Sequence, residues 1–197
     1  IRAMMHPGYQ NPEYIGPCGP SDPEVSVLAV QGLDGKPIAL LANYSMHYFG
    51  APPVSADYYG DFVRIVSKRL AEGDPSFIAM MSHGTSGDQQ WQDYANPSKP
   101  ISREQYATAV ADAALRAYGR IEFQEGVPLA MAERRVKIRL QQPDKELQAW
   151  AEKLYAEMKG RDPRSLPEVY AREIILLKDL HEEERKLQAL RIGELGI

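Results

Sequence analysis

The chain has 197 residues, of which 44% are hydrophobic and 25% charged, and its net charge is -4. This composition is typical of a soluble globular protein, and since no basic stripe is present we expect no nucleic-acid partner. No apolar run approaches the roughly 20 residues of a membrane-spanning helix, and Cys18, the single cysteine, excludes an internal disulfide and a Cys-rich zinc ribbon.

The first half of the chain predicts a loop followed by an α/β region. Residues 1–24 are rich in Pro, Gly and Tyr and predict a surface loop. Two strand-like runs, "VSVLAVQ" and "PIALLANYSM", flank Asp34-Gly35, a strong hairpin turn signal. A helix is predicted from Asp57 to Glu72, and an apolar strand follows from Phe77 to Met81. This order predicts a crossover to a parallel strand in a sheet covered on both faces.

The second half predicts one more helix, two strands and a helical hairpin. Ser102 and Gln105 have the spacing of a capping box, and Gly119 ends the helix that they open. The segment "MAERRVKIRL" alternates and predicts a strand whose basic side chains are solvated edge charges. Residues 143–186 predict a helical arm and residues 187–197 a final strand. We expect one α/β domain with a mixed sheet flanked by helices, residues 25–142 forming its core, and the whole a fragment of a larger domain.

Two histidines follow the ends of apolar strands. His47 ends "ALLANYSMH" and His83 ends "FIAMMSH", and parallel neighbours would bring these ends to one edge of the sheet. Asp57 and Asp88 are the carboxylates expected near them. Two histidines do not complete a zinc site, and the alternative for each is a histidine hydrogen-bonded near a strand end. His6 is uninformative, and His181 is expected to be a solvated residue in a charged helix.

The polar stretch "MSHGTSGDQQW", residues 81–91, follows the apolar strand. One interpretation is an ordinary turn, because Gly, Ser, Asp and Gln are common there. The other is a wall of a binding pocket, in which Gly84 and Gly87 permit close backbone approach and Asp88 either fixes the loop or orients a ligand. We count Ser86 and Gln90 with the two glycines as candidate substrate-binding residues. Asp57 is either the N-cap of the following helix or a group that supports the site.

Residues 16–91 resemble the neutral/alkaline non-lysosomal ceramidase family. The features they share are "GPSDPEV", the strand end "NYSMH", "SAD" and the loop "GTSGD". The resemblance implies a zinc-dependent amidohydrolase that cleaves the N-acyl amide, or an ester, of a lipid-like substrate through metal-activated water, and it implies that His47 is a zinc ligand. The other ligands would lie outside this segment, so we expect the segment alone to be inactive. Export or a cell-surface location is also implied.

This sequence departs from the family at the polar loop. Characterised ceramidases carry a serine two or three residues after the Gly-Asp/Asn pair, whereas Gln89, Gln90 and Trp91 stand here. His83 stands where a glutamine is more familiar, which suggests that it binds a substrate carbonyl or carries a proton. We therefore count His83, Asp88 and Asp57 as candidate catalytic residues. The alternative is a catalytically inactive, ceramidase-like binding domain, and oligomerisation through residues 143–186 is a further possibility.

Overall fold

A computed structural model describes residues 4, 6–50 and 52–197 of the chain. The chain divides into two compact units, Ile1–Phe123 and Gln124–Ile197. The predicted α/β class is confirmed, since the described residues form four helices and two three-stranded sheets. None of the helices in these ranges is long and apolar enough to cross a membrane.

The sheet of the first unit has the order β1-β2-β3. Strands β1 (Val25–Gln31) and β2 (Pro37–Tyr44) form the predicted antiparallel hairpin, and Gly35 at its turn has a φ of 81°. Strand β3 (Ile78–His83) pairs with β2 in parallel, which confirms the predicted crossover. Tyr44 is opposite His83 in this register, so the two strands end side by side.

Two helices cover one face of this sheet. They are α1 (Asp57–Ala71) and α2 (Arg103–Tyr118), and the predicted capping box of Ser102 and Gln105 opens α2. The core between helices and sheet contains side chains with no exposed surface: Leu40, Ala42, Tyr58, Phe62, Val66 and Ala111. Burial of these apolar surfaces is the main source of the unit's stability.

Among the described residues of the first unit, no helix covers the opposite face of the sheet. Ile78 is 54% and Met80 44% exposed, whereas Ala79 between them is buried. The prediction of a sheet covered on both faces is therefore wrong for the described residues. The apolar side chains of residues 78–81 conceal the alternation, because sequence periodicity detects a solvated face only when that face is polar.

The second unit is built from a long β-ribbon and a helical hairpin. Strands β4 (Leu129–Arg139) and β5 (Glu182–Ile192) pair antiparallel along their full length, and β6 (Leu195–Gly196) adds to β5. The helices are α3 (Lys145–Glu157) and α4 (Leu166–Leu177). The strand predicted from "MAERRVKIRL" is confirmed as part of β4, which pairs with β5 and lies at a sheet edge.

The predicted boundary between helical arm and final strand is wrong. Helix α4 ends at Leu177 and β5 begins at Glu182, so residues 182–186 of the predicted arm 143–186 are strand, and His181 lies outside the helix. Strand β5 accordingly begins before residue 187. The charged side chains of "HEEERK" favour a helix locally, but here several of them pair with side chains of opposite charge on β4. Arg135 pairs with Glu184 at 2.6 Å and Lys186 with Glu133 at 3.1 Å.

Glu168 fixes the connector between α3 and α4. Its carboxylate accepts two hydrogen bonds from the Arg161 guanidinium, at 2.6 and 3.0 Å, and one from the Arg164 amide at 2.6 Å. The Arg161 hydrogen bonds, followed by that amide, lower the pKa of the Glu168 carboxyl to about 2.

We expect Glu168→Gln to destabilise the chain in a pH-dependent way. A carboxyl whose pKa is depressed in the folded state stabilises fully above its ordinary pKa, and this contribution is lost as the pH falls toward about 2. Urea unfolding should be measured at about pH 6 and about pH 3. We expect the difference in free energy of unfolding between wild type and variant to be smaller at the lower pH. In an Arg161→Met background, the effect of Glu168→Gln on the free energy of unfolding should depend less on pH, because the Arg161 hydrogen bonds are the largest cause of the lowered pKa of Glu168. A difference in free energy of unfolding that does not change with pH would contradict a stabilising role for the Glu168 carboxylate.

Candidate functional site

His47 lies in the loop that follows β2. The two residues before it, Ser45 and Met46, are buried, whereas the His47 ring is half-buried and lies 4.1 Å from the Tyr48 ring, centroid to centroid. The sequence thus places His47 where the sheet ends and an irregular segment begins. Such strand ends are the usual positions of ligand-binding groups in α/β sheets.

Asp57 holds this loop against the start of α1. Its buried carboxylate accepts hydrogen bonds from the amides of Phe49 and Gly50, both at 2.9 Å, and of Tyr58 at 2.6 Å. The N-cap position belongs to Ala56, and Asp57 is the first helical residue, with a φ of 48°. The prediction that Asp57 is the N-cap residue is therefore wrong, because it lies one position later. Its carboxylate instead fixes the backbone immediately after His47.

The Met46 carbonyl connects the ends of β2 and β3. It accepts from the His83 ring at Nε2, 3.0 Å away, and from the hydroxyls of Tyr58 and Tyr59, both at 3.3 Å. Burial raises the pKa of both tyrosines, so these hydroxyls are protonated donors at neutral pH. Sequence reasoning missed this cluster because a backbone carbonyl leaves no residue-type signal.

The same contacts fix the tautomer of His83. A carbonyl oxygen only accepts hydrogen bonds, so Nε2 carries the hydrogen that it shares with Met46. Ser86 Oγ also lies against the same Nε2. Nδ1 is then the unprotonated nitrogen of the neutral ring, and it has no hydrogen-bond partner in the part of the chain that the structure describes. This nitrogen is available to accept a hydrogen bond.

The remaining loop residues differ in their surroundings. Ser86 is buried beside His83, whereas Asp88 is exposed and only accepts from the Gln89 side chain at 3.4 Å. Gln90 is half-buried. A Cβ placed on Gly84 would lie 2.4 Å from Ser45 Oγ, but one on Gly87 would meet nothing within 4 Å. Gly84 therefore packs closely against Ser45, whereas Gly87 has open space at the corresponding position.

An aromatic contact joins the loops that follow β2 and β3. The Phe49 ring stacks on the Trp91 ring at 4.6 Å with an interplanar angle of 17°, and Phe49 also lies 5.7 Å from Tyr106 of α2. Phe49 is two residues beyond His47, and Trp91 closes the polar stretch. The contact holds both candidate loops in one arrangement. No sequence signal pairs these two aromatic residues.

The described residues do not form a complete metal site by themselves. No three His, Cys, Asp or Glu side chains within these ranges lie together in a way that would hold an ion. Asp57 has its oxygens on backbone amides and Asp88 lies exposed, so neither carboxylate joins His47 in a ligand cluster. Within the described residues His47 therefore has no companion ligands, whereas zinc takes about four.

Comparison with known proteins identifies a structural neighbour. No family model and no curated protein matches the sequence. Among solved structures, neutral ceramidase from Pseudomonas aeruginosa resembles this chain with a TM-score of 0.54 and 14% sequence identity. The match covers 89% of this chain and 34% of the ceramidase chain, so the present chain spans about a third of that protein. Most of this chain therefore shares the fold of part of a neutral ceramidase.

Proposed function

We propose that this chain is part of a ceramidase-like hydrolase that cleaves the N-acyl amide, or an ester, of a lipid-like substrate. The observation that carries the proposal is the convergence of two histidine-bearing strand ends. β2 and β3 are parallel neighbours, and Met46, the residue before His47, hydrogen-bonds to His83 across them. The fold shared with part of a neutral ceramidase supports this assignment.

In this proposal His47 supplies one ligand of a zinc ion. The other ligands come from polypeptide outside the 197 residues, consistent with a match to 34% of the ceramidase chain. Zinc in hydrolases acts as a Lewis acid toward a carbonyl oxygen and toward water. The Asp57 carboxylate contributes by holding the amides of Phe49 and Gly50, which fixes the direction in which the loop presents His47.

We assign proton transfer to His83 rather than to Asp88. The Met46 carbonyl keeps hydrogen on Nε2 of His83, so Nδ1 takes the proton that the attacking water releases and later gives it to the leaving amine nitrogen or ester oxygen. Both side chains are exposed, but Asp88 lacks comparable restraint, because its carboxylate accepts one long hydrogen bond from the described residues. Gly84, Ser86, Gly87 and Gln90 then contribute backbone and side-chain polar groups to the wall of the substrate site.

The first test of the proposal is metal content. The natural protein containing these residues should be purified without chelators and analysed for bound metals, beside its His47→Ala variant. We expect about one zinc per chain in the wild type, as for a single catalytic site, and its loss in the variant, together with loss of hydrolysis of a fluorescent N-acyl lipid. The natural protein without zinc, or a variant that retains it, would overturn the ligand assignment.

A second experiment separates the proton-transfer role of His83 from its structural role. In His83→Gln the side-chain amide can still donate to the Met46 carbonyl, but the ring nitrogen Nδ1 is gone. We expect an unchanged melting temperature and a fall in kcat of about 10²- to 10⁴-fold. His83→Leu should lower both the melting temperature and kcat. Unaltered kcat in His83→Gln would exclude His83 as the proton carrier.

One feature of the sequence favours a second candidate function. Gln89, Gln90 and Trp91 occupy the stretch where ceramidases carry their serine, which is compatible with a domain that binds an N-acyl lipid without cleaving it. This alternative predicts lipid binding by the zinc-free protein and no hydrolysis by the zinc-loaded one. A secreted, periplasmic or cell-surface location accompanies both candidates as part of the proposal.

A further inference from the structure

A cavity of about 470 Å³ lies in the first unit, apart from the histidines. It is formed between the segment around Tyr9 and residues 91–105, and neither His47 nor His83 lines it. Its volume falls within the range of small-molecule sites, about 300–1,000 Å³. Tyr9 and Trp91 contribute aromatic rings to the lining of this cavity. Its polar lining side chains include Gln92, Asp93, Lys99 and Gln105.

The aromatic walls of this cavity are held in place from behind. The Tyr9 ring lies 5.2 Å from the Tyr94 ring, and the next amide, that of Gln10, donates to the Tyr94 carbonyl at 2.9 Å. His6 hydrogen-bonds to the Tyr94 hydroxyl at 2.6 Å. On the other side, Trp91 stacks on Phe49. The rings are therefore positioned before any ligand arrives, which lowers the entropic cost of binding.

Two glutamine side chains present donors of fixed orientation. The Oε1 atom of Gln105 accepts from the Ser102 amide at 2.9 Å, so its NH₂ group is the end left for a ligand. Gln92 Oε1 accepts a hydrogen bond from the Tyr94 hydroxyl, so the NH₂ group of Gln92 is also left for a ligand. Asp93 supplies acceptors, since each of its oxygens accepts one internal hydrogen bond and has capacity for another.

We propose that this cavity binds a pyranose ring of a neutral saccharide. A pyranose has an apolar C–H face that packs on aromatic rings, here Tyr9 and Trp91, and a rim of hydroxyls that both donate and accept. The amides of Gln92 and Gln105 and the carboxylate of Asp93 provide the complementary donors and acceptors. Asp93 and Lys99 balance each other in charge, which favours a neutral ligand over an ionic one.

The test is saturation-transfer NMR on the whole protein with methyl glucoside, methyl galactoside and N-acetylglucosamine as probes. Gln105→Glu is the informative variant, because glutamate preserves the capping box while removing the NH₂ donor. Tyr9→Ala removes an aromatic wall without touching α2. Gln124→Glu, at an exposed position outside the cavity, is the control for the change in charge.

We expect at least one probe to receive saturation from wild type and from Gln124→Glu with equal affinity. Loss of one neutral hydrogen bond predicts binding about 3- to 10-fold weaker in Gln105→Glu. Tyr9→Ala should abolish detectable transfer to the C–H protons of the ring. Absence of transfer from wild type to all three probes, or affinities unaffected by both cavity variants, would overturn the proposal. These outcomes are independent of metal content and hydrolysis.

Discussion

Asp57→Ala is expected to lower the free energy of unfolding by about 3–5 kcal/mol. Three amides, those of Phe49, Gly50 and Tyr58, donate to the buried Asp57 carboxylate, and hydrogen bonds to charged groups contribute about 1.5–3 kcal/mol each. Alanine at a φ of 48° adds backbone strain of about 1–2 kcal/mol. Part of the loss is regained when water reaches the freed amides. Urea denaturation followed by circular dichroism measures the change.

Two further variants distinguish the loop-holding role of Asp57 from a general need for a carboxylate. Asp57→Asn tolerates the left-handed backbone and keeps one acceptor oxygen, but its NH₂ group opposes an amide donor, so we expect an intermediate loss. Asp88→Ala, the exposed matched control, should change stability by less than about 0.5 kcal/mol. Equal effects of Asp57→Ala and Asp88→Ala would refute the role assigned to Asp57.

The elements that the sequence predicts well are those with local signals. Asp34-Gly35 specifies a hairpin through a turn that favours glycine, and Ser102 with Gln105 specifies a helix start through reciprocal hydrogen bonds. The segment 182–186 shows where local signals fail. Its glutamates and lysine favour a helix, but pairing with oppositely charged side chains of β4 makes a strand, and that pairing joins residues about fifty positions apart.

The candidate site also has some features that the sequence predicts and others that it does not. Parallel pairing of β2 and β3 brings their ends together, and this follows from the order of elements along the chain. The chemistry of His83 does not follow from that order, because its tautomer depends on the Met46 carbonyl, an acceptor that every residue possesses. The Phe49 stack on Trp91 is equally invisible, since aromatic contacts between loops have no fixed spacing.

Gly84→Ala is expected to lower the free energy of unfolding by about 1–3 kcal/mol, the usual cost of overpacking. A Cβ at this position would lie 2.4 Å from Ser45 Oγ and 3.1 Å from the Cα and N atoms of Ser45. The hydroxyl can rotate away, but the backbone atoms cannot move freely because the Gly84 amide donates to the Tyr44 carbonyl at 3.0 Å. The substitution therefore pushes the ends of β2 and β3 apart and displaces His47 from His83.

Gly87→Ala is the matched control for Gly84→Ala in the same loop. No atom lies within 4 Å of a Cβ at Gly87 and its φ is not positive, so we expect a change within about 0.5 kcal/mol. Adding Ser45→Ala to Gly84→Ala should restore part of the lost stability, because it removes Oγ but leaves the two backbone contacts. Equal melting temperatures for the two glycine variants would show that close packing at Gly84 does not hold the strand ends together.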